Sequence, residues 1–166
     1  MNRPDHIVNI EDVEQDGWTQ GNRLALQRRQ LGAAAGGKMI GCSLLEVPKG
    51  KQPFPYHYHT ANEESIYVLE GEGSLRHPGG ETPLRPGDYV AFRVGAEGAH
   101  AITATTATLK FLCFSTMIEP EISVMPDSGK YGLFAGSAPG GKKEDRTVFA
   151  FHRQGDNVHY FDGEPD

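Results

Sequence analysis

Two histidines two residues apart, His57 and His59, sit in the stretch Tyr56-His57-Tyr58-His59, and a pair of carboxylates, Glu63 and Glu64, follows after a short polar turn. In an extended strand side chains alternate between faces, so both imidazoles leave the same side with their Cα atoms about 6–7 Å apart. Two imidazoles at that separation can share one ion. The acidic pair opens an apolar run over residues 66–69, whose β-branched and aromatic content favours a second strand that returns a carboxylate towards the imidazoles. Parity leaves the choice of carboxylate open: Glu64 shares a face with Ile66 and Val68, Glu63 with Tyr67 and Leu69, and either row can face inward. A third imidazole comes from His100, which opens a strand after the glycine-rich turn at residues 95–98 and shares parity with Ile102. Three nitrogens and one oxygen form a borderline donor set, suited to a divalent transition metal (Fe, Mn, Ni, Co or Zn) and poorly suited to Cu(I) or an iron–sulfur cluster.

The elements that must position these groups are short strands. The 21 glycines and 11 prolines among 166 residues cut the chain into brief apolar runs, which argues for mostly β structure in a single domain. Strands are expected over residues 39–47, 65–69, 73–77, 83–84, 89–93, 100–104 and 108–116, with one more over 147–151. Such spacing means a sandwich or barrel. After residue 116 the pattern decays into Glu119-Pro120-Glu121, Pro126-Asp127-Ser128-Gly129 and the loop at residues 139–143.

Other side chains have plainer readings. His6, His77, His152 and His159 have no partner at ligand spacing and are expected at the surface; Glu70 and Glu72 are expected as a solvated edge that deters strand pairing. Cys42 and Cys113 lie in strand-like apolar sequence and read as buried thiols, since two such cysteines make no disulfide framework. Gly32-x4-Gly37-Lys38 imitates the start of a phosphate-binding loop, but Met39 stands where a hydroxyl is required and neither the preceding strand nor the following helix is present. A net charge of −6 leaves no basic surface for phosphate neutralisation, so no nucleic-acid partner is expected. Without an apolar leader or membrane-length run, the chain reads as soluble and cytoplasmic.

The motif His57-x-His59-x4-Glu64-x6-Gly71, followed by Pro86-Gly87-Asp88 and the distal His100, resembles the two-motif signature of the cupin superfamily. The resemblance covers residues 39–116 and implies an all-β double-stranded β-helix, a jelly-roll barrel, with a core over 39–117. It implies extended segments at 1–38 and 118–166, the first packing on the barrel and the second on the barrel or a partner chain. Its spacing to Gly71 selects Glu64 over Glu63, so the implied metal ligands are His57, His59, Glu64 and His100. The flanks are similar to a branch of small bacterial single-domain cupins. Two positions depart from the pattern: Arg93 or Val94 stands where the second motif often has proline, and Ala104 fills a slot that often holds asparagine. The ligands are untouched by either change.

Four protein donors on one side of a barrel mouth leave two adjacent positions of an octahedral ion for water or a chelating molecule. The expected ligand is therefore a small oxygen-rich metabolite, a hydroxy- or keto-acid or a sugar derivative, handled by a metal-dependent isomerase, lyase or dioxygenase. A non-catalytic small-ligand-binding or sensor barrel is the alternative. Glu63 and Tyr58 are the nearest further acid–base candidates, although parity points Tyr58 away from the ion. The expected wall is apolar, from Ile66, Val68, Phe92 or Ile102. A homodimer is expected, because the aromatic tail and the N-terminal run exceed what one barrel consumes.

Overall fold

Proline and glycine turns end the strands close to where the sequence places them. In the computed structural model, which describes residues 3–165, they delimit β1 (Gln15–Gln20), β2 (Leu24–Arg29), β3 (Ile40–Pro48), β4 (Tyr58–His59), β5 (Glu64–Glu70), β6 (Gly73–His77) and β7 (Gly80–Leu84). β8 (Tyr89–Phe92), β9 (Ala101–Ala104), β10 (Thr108–Thr116), β11 (Glu121–Met125), β12 (Lys130–Ala135) and β13 (Val148–Arg153) complete the set. The longest α-helix among the described residues is the four-residue turn Leu31–Ala34, and no helix there is long and apolar enough to cross a membrane.

The strands form an all-β jelly roll of two layers. One layer is a six-stranded sheet in the order β1-β2-β3-β10-β5-β8. The other joins β13-β12-β11-β4 to β7-β6-β9 through a single antiparallel bridge between His57 and His100. Between the layers lies an apolar core that includes Leu45, Val47, Ile66, Val68, Leu109 and Phe111. Burial of that shared face is the main drive for the two sheets to close on each other. On the outer face of the large sheet, Arg29, Glu46, Lys110 and Glu70 form a ladder of ion pairs across β2, β3, β10 and β5.

The segment after residue 116 departs from the expectation. It forms two strands, β11 and β12, where the sequence shows only a decaying pattern, and β11 pairs directly with β4. Most inward positions there are not apolar: Glu121 and Ser123 are buried on the same face as Gly132, which leaves its space to the rings of Phe134 and Phe151, and Phe134 is the one large apolar side chain of that row. Glu121-Ile122-Ser123-Val124 alternates polar and apolar residues, but both members of the polar row are buried. Gly71, the glycine of the histidine motif, has φ of +77°, and a Cβ there would collide with the Thr108 carbonyl oxygen. Left-handed backbone costs about 1–2 kcal/mol in a residue with a side chain, and the collision adds to it. Gly71→Ala should lower stability to urea by at least that amount, and an unchanged midpoint would mean that the turn finds another conformation.

Candidate metal centre

Backbone pairing sets the histidines side by side. His57 N–H donates to His100 O at 3.1 Å and His100 N–H returns a bond to His57 O at 2.9 Å, so the two residues face each other across adjoining strands with ring centroids 4.7 Å apart. His59, two residues along, lies on the same side, its ring 5.1 Å from that of His57. Glu64 reaches in from the opposite layer. Its Oε2 lies 3.9 Å from His57 Nε2, 3.4 Å from His59 Nε2 and 3.5 Å from His100 Nε2. The parity question is answered by burial: Ile66 and Val68 are 2% and 0% exposed, whereas Tyr67 and Leu69 are 41% and 43% exposed. Glu64 therefore belongs to the interior row, and Glu63 is exposed.

The far side of each ring fixes its tautomer. His57 Nδ1 lies 2.8 Å from Pro55 O, and His100 Nδ1 lies 2.9 Å from Gly98 O. A carbonyl only accepts, so each Nδ1 carries the proton and each Nε2 turns a lone pair inward. His59 Nδ1 lies 3.4 Å from Glu121 Oε1 and 3.2 Å from Ser123 Oγ; the carboxylate only accepts, so this Nδ1 carries a proton as well. His59 Nε2 is buried without a hydrogen-bond partner. An orphaned buried nitrogen aimed at a carboxylate is costly in a finished protein and is what an ion would relieve. Donor atoms of His57, His59 and Glu64 all fall within 4.8 Å of one another, so this group can hold a metal, and the His100 nitrogen adjoins it.

The electrostatics are those of a prepared cluster. Burial, reinforced by His100, depresses His57 to about 3, more than Glu64 can restore. Burial also acts to lower His59, but the Glu64 and Glu121 carboxylates on its two sides outweigh it and raise the ring to about 10. Burial would raise Glu64, yet His59 and His100 hold its carboxyl well below the usual range. Phe92, which lies opposite Glu64 across β5 and β8, stacks on His100 with centroids 3.6 Å apart and planes 10° apart. That stack, together with the β9 backbone, leaves the His100 ring little freedom.

The cavity beside the cluster is small. It measures about 20 Å³ and is lined by Phe54, Ile66, Ile102, Phe111 and Cys113 along with His57, Glu64 and His100. That is room for roughly one water molecule. Ile66 and Ile102 line it as expected; Phe92 acts through His100, and Val68 is not among the lining residues. Phe54 packs edge-on against His57 and is itself covered by Trp18, with ring centroids 6.0 and 5.5 Å apart. Trp18 is pinned in turn by Arg28, which bridges to Asp16 at 2.6 and 2.9 Å. The hairpin of β1 and β2 thus places a hydrophobic cover beside the site. Burial pushes both thiols up, Cys113 well above its ordinary value. Tyr58 packs with Tyr56, Ala99 and Ala101, away from the cluster, and Arg76 pairs with Asp127 on the outside. A larger groove of about 1020 Å³ between β6, β7 and β8 contains none of the four clustered groups.

Sequence reasoning missed two residues that support this site. Glu121, with a fully buried side chain, accepts hydrogen bonds from the backbone of Thr60, Ala61 and Asn62 while facing His59. Asn62, 1% exposed, ties the same turn to Thr116 and Ile118. The available signal was the shared parity of Glu121 and Ser123 next to a β-branched residue. Ile122 and Val124 alternate with them, but over four residues only and with the polar row buried, so the rhythm points away from a site.

Comparisons with known proteins agree with this architecture. A family profile described as a cupin domain matches residues 43–115. The crystal structure of a sugar phosphate isomerase from a cupin superfamily, from Silicibacter pomeroyi, is 25% identical over 93% of this chain and 97% of its own, with a TM-score of 0.76. A protein from Acidithiobacillus ferrooxidans shares the fold at 24% identity, over 93% of this chain and 96% of its own, with a TM-score of 0.77. The polyketide cyclase RemF from Streptomyces resistomycificus is 25% identical over 70% of this chain and 79% of its own, with a TM-score of 0.54. No curated protein matches. With the two-layer jelly roll, these matches give the chain a cupin domain over residues 43–115.

Proposed function

We propose that the protein holds one divalent transition metal through His57, His59, Glu64 and His100 and uses it on a small oxygen-rich metabolite. The observation that carries this reading is the convergence of three Nε2 atoms on one carboxylate oxygen, with His59 Nε2 left without a hydrogen-bond partner. A bound ion would supply Lewis-acid polarisation of a substrate oxygen. The remaining work falls to the chain: β4 and β9 hold the imidazoles in register, Phe92 steadies His100, and Phe54 under Trp18 keeps bulk water out. Because the cavity admits about one water, entry of a chelating metabolite requires its lining, Phe54 included, to move. The likeness to the Silicibacter pomeroyi isomerase favours a sugar derivative, and isomerisation, within this class.

A second reading, binding without turnover, is favoured by the cavity lining. Apart from the cluster itself and Cys113, it contains no titratable side chain among the described residues. Turnover of sugar phosphates by metal-loaded protein separates the two readings.

Elemental analysis should find about one ion per chain in the wild type and almost none in His59→Ala or Glu64→Gln; equal content in all three would overturn the metal site. A chelating hydroxy-acid or sugar derivative at 100 times its dissociation constant should stabilise metal-loaded protein by about 2.7 kcal/mol, read as a thermal shift. The same shift in metal-free protein and in His100→Ala would place the ligand elsewhere. Homodimerisation remains part of the reading, supported by the exposed Val158, Tyr160 and Phe161. Light scattering at tens of micromolar should give twice the 18.1 kDa chain mass, and a monomer would remove it.

A further inference from the structure

The three imidazoles of the cluster are not anchored alike. His57 and His100 each direct Nδ1 to a backbone carbonyl, whereas His59 Nδ1 lies between the buried carboxylate of Glu121 at 3.4 Å and the Ser123 hydroxyl at 3.2 Å. Glu121 comes from β11, outside the segment matched by the family profile at residues 43–115. We propose that Glu121 is a positioning residue of the metal centre, orienting the His59 ring and making its Nε2 the strongest nitrogen donor of the set. This rests on the metal-binding reading given above.

Glu121 is itself held from three directions. Its Oε1 accepts from Thr60 N–H at 2.9 Å and faces His59 Nδ1 at 3.4 Å, while Oε2 accepts from Ala61 N–H at 3.1 Å and Asn62 N–H at 2.9 Å. The Asn62 side-chain amide donates to the same Oε2. Three successive backbone N–H groups form a concave anion-binding nest, so the carboxylate cannot rotate away from the histidine. Those three residues also form the turn between His59 and the acidic pair, which sets how Glu64 is presented. On the neighbouring side Ser123 lies opposite His59 in the β4–β11 ladder, with Oγ 3.2 Å from Nδ1. A carboxylate accepting from Nδ1–H makes the opposite nitrogen more electron-rich, an effect that a backbone carbonyl supplies less strongly. If the carboxylate served only the turn, its alignment with the ring nitrogen would carry no consequence for metal binding.

The test measures Zn(II) affinity by competition with a chromophoric chelator, for wild type, Glu121→Gln and Glu64→Gln. It is run at a temperature where circular dichroism shows each metal-free protein folded. Glu121→Gln should bind Zn(II) about 10- to 100-fold more weakly. Wild-type affinity in a folded Glu121→Gln overturns the proposal. Should that variant not fold, the Zn(II)-loaded wild type decides: nitrogen-15 spectra should show the His59 Nδ1–H proton further downfield than those of His57 and His100, and a proton no different from theirs overturns the idea. Wild-type affinity in Glu64→Gln would instead sink the metal-site reading, which keeps the two failures apart.

Discussion

Zn(II) should bind the wild-type protein about tenfold more tightly for each pH unit between pH 7 and 9, a gain near a hundredfold across the window. The reason lies in His59. In the metal-free protein Glu64 and Glu121 outweigh burial and raise its pKa to about 10, so the ring is protonated throughout that range and an ion must displace a proton from Nε2. His57, depressed to about 3, and Glu64, held well below the usual carboxylate range, have no proton to give up there. Chelator competition at pH 7, 8 and 9 checks the slope; a flat profile would mean that His59 is already neutral.

The same shifts give the metal-free protein a stability optimum. His59 is raised above its ordinary 6.5, so its contribution is complete below 6.5 and is lost as pH climbs towards 10. His57 is lowered from 6.5, so its contribution is complete above 6.5 and fades as pH falls towards 3, and Glu64 loses its own below its ordinary 4.5. Melting of metal-free protein should therefore peak near pH 6.5 and decline on both sides.

Asn62→Ala should cost about 2–4 kcal/mol in urea unfolding, more than most single truncations of a polar side chain. The asparagine Oδ1 accepts from Ile118 N–H at 2.8 Å and Thr116 Oγ1 at 3.2 Å, and its Nδ2 donates to Ile118 O at 2.9 Å and to Glu121. Alanine strands these groups together. Those of Thr116 and Ile118 are part-buried and recover some hydration, whereas the Glu121 carboxylate is fully enclosed and does not. A loss under about 1 kcal/mol would show that water fills the space and takes over the bonds.

The grouping of His57, His59 and Glu64 was legible because its information is local. His57 and His59 stand two apart on one strand face, Glu64 opens the next strand, and the resemblance chose that carboxylate before burial of Ile66 and Val68 showed the reason. What stayed hidden depends on pairing between distant strands. Nothing in the local spacing says that His100 lies opposite His57, since that bridge joins strands more than forty residues apart in sequence. Strands β11 and β12 escaped for a different reason: beside Phe134, their inward positions hold Glu121, Ser123 and Gly132, which serve the site or make way for aromatic rings. A period-2 apolar search finds strands that build core and passes over strands that serve chemistry. The cover from Trp18 was equally invisible, because its hairpin is long-range in its packing and solvated along β1.

The position of Glu121 late in the chain has a consequence for biosynthesis. Translation adds about 5–20 residues per second, so roughly twenty residues separate the emergence of His100 from that of Glu121, an interval of about one to four seconds. During it all three imidazoles and Glu64 have been made, while the turn at residues 60–62 has no anion to close on and His59 is free to rotate. On the metal-binding proposal, ion capture in its final form would thus wait for a strand made after β10, one that adds little to the hydrophobic core. A nascent chain stalled before β11 would carry every ligand and still present an unfinished centre.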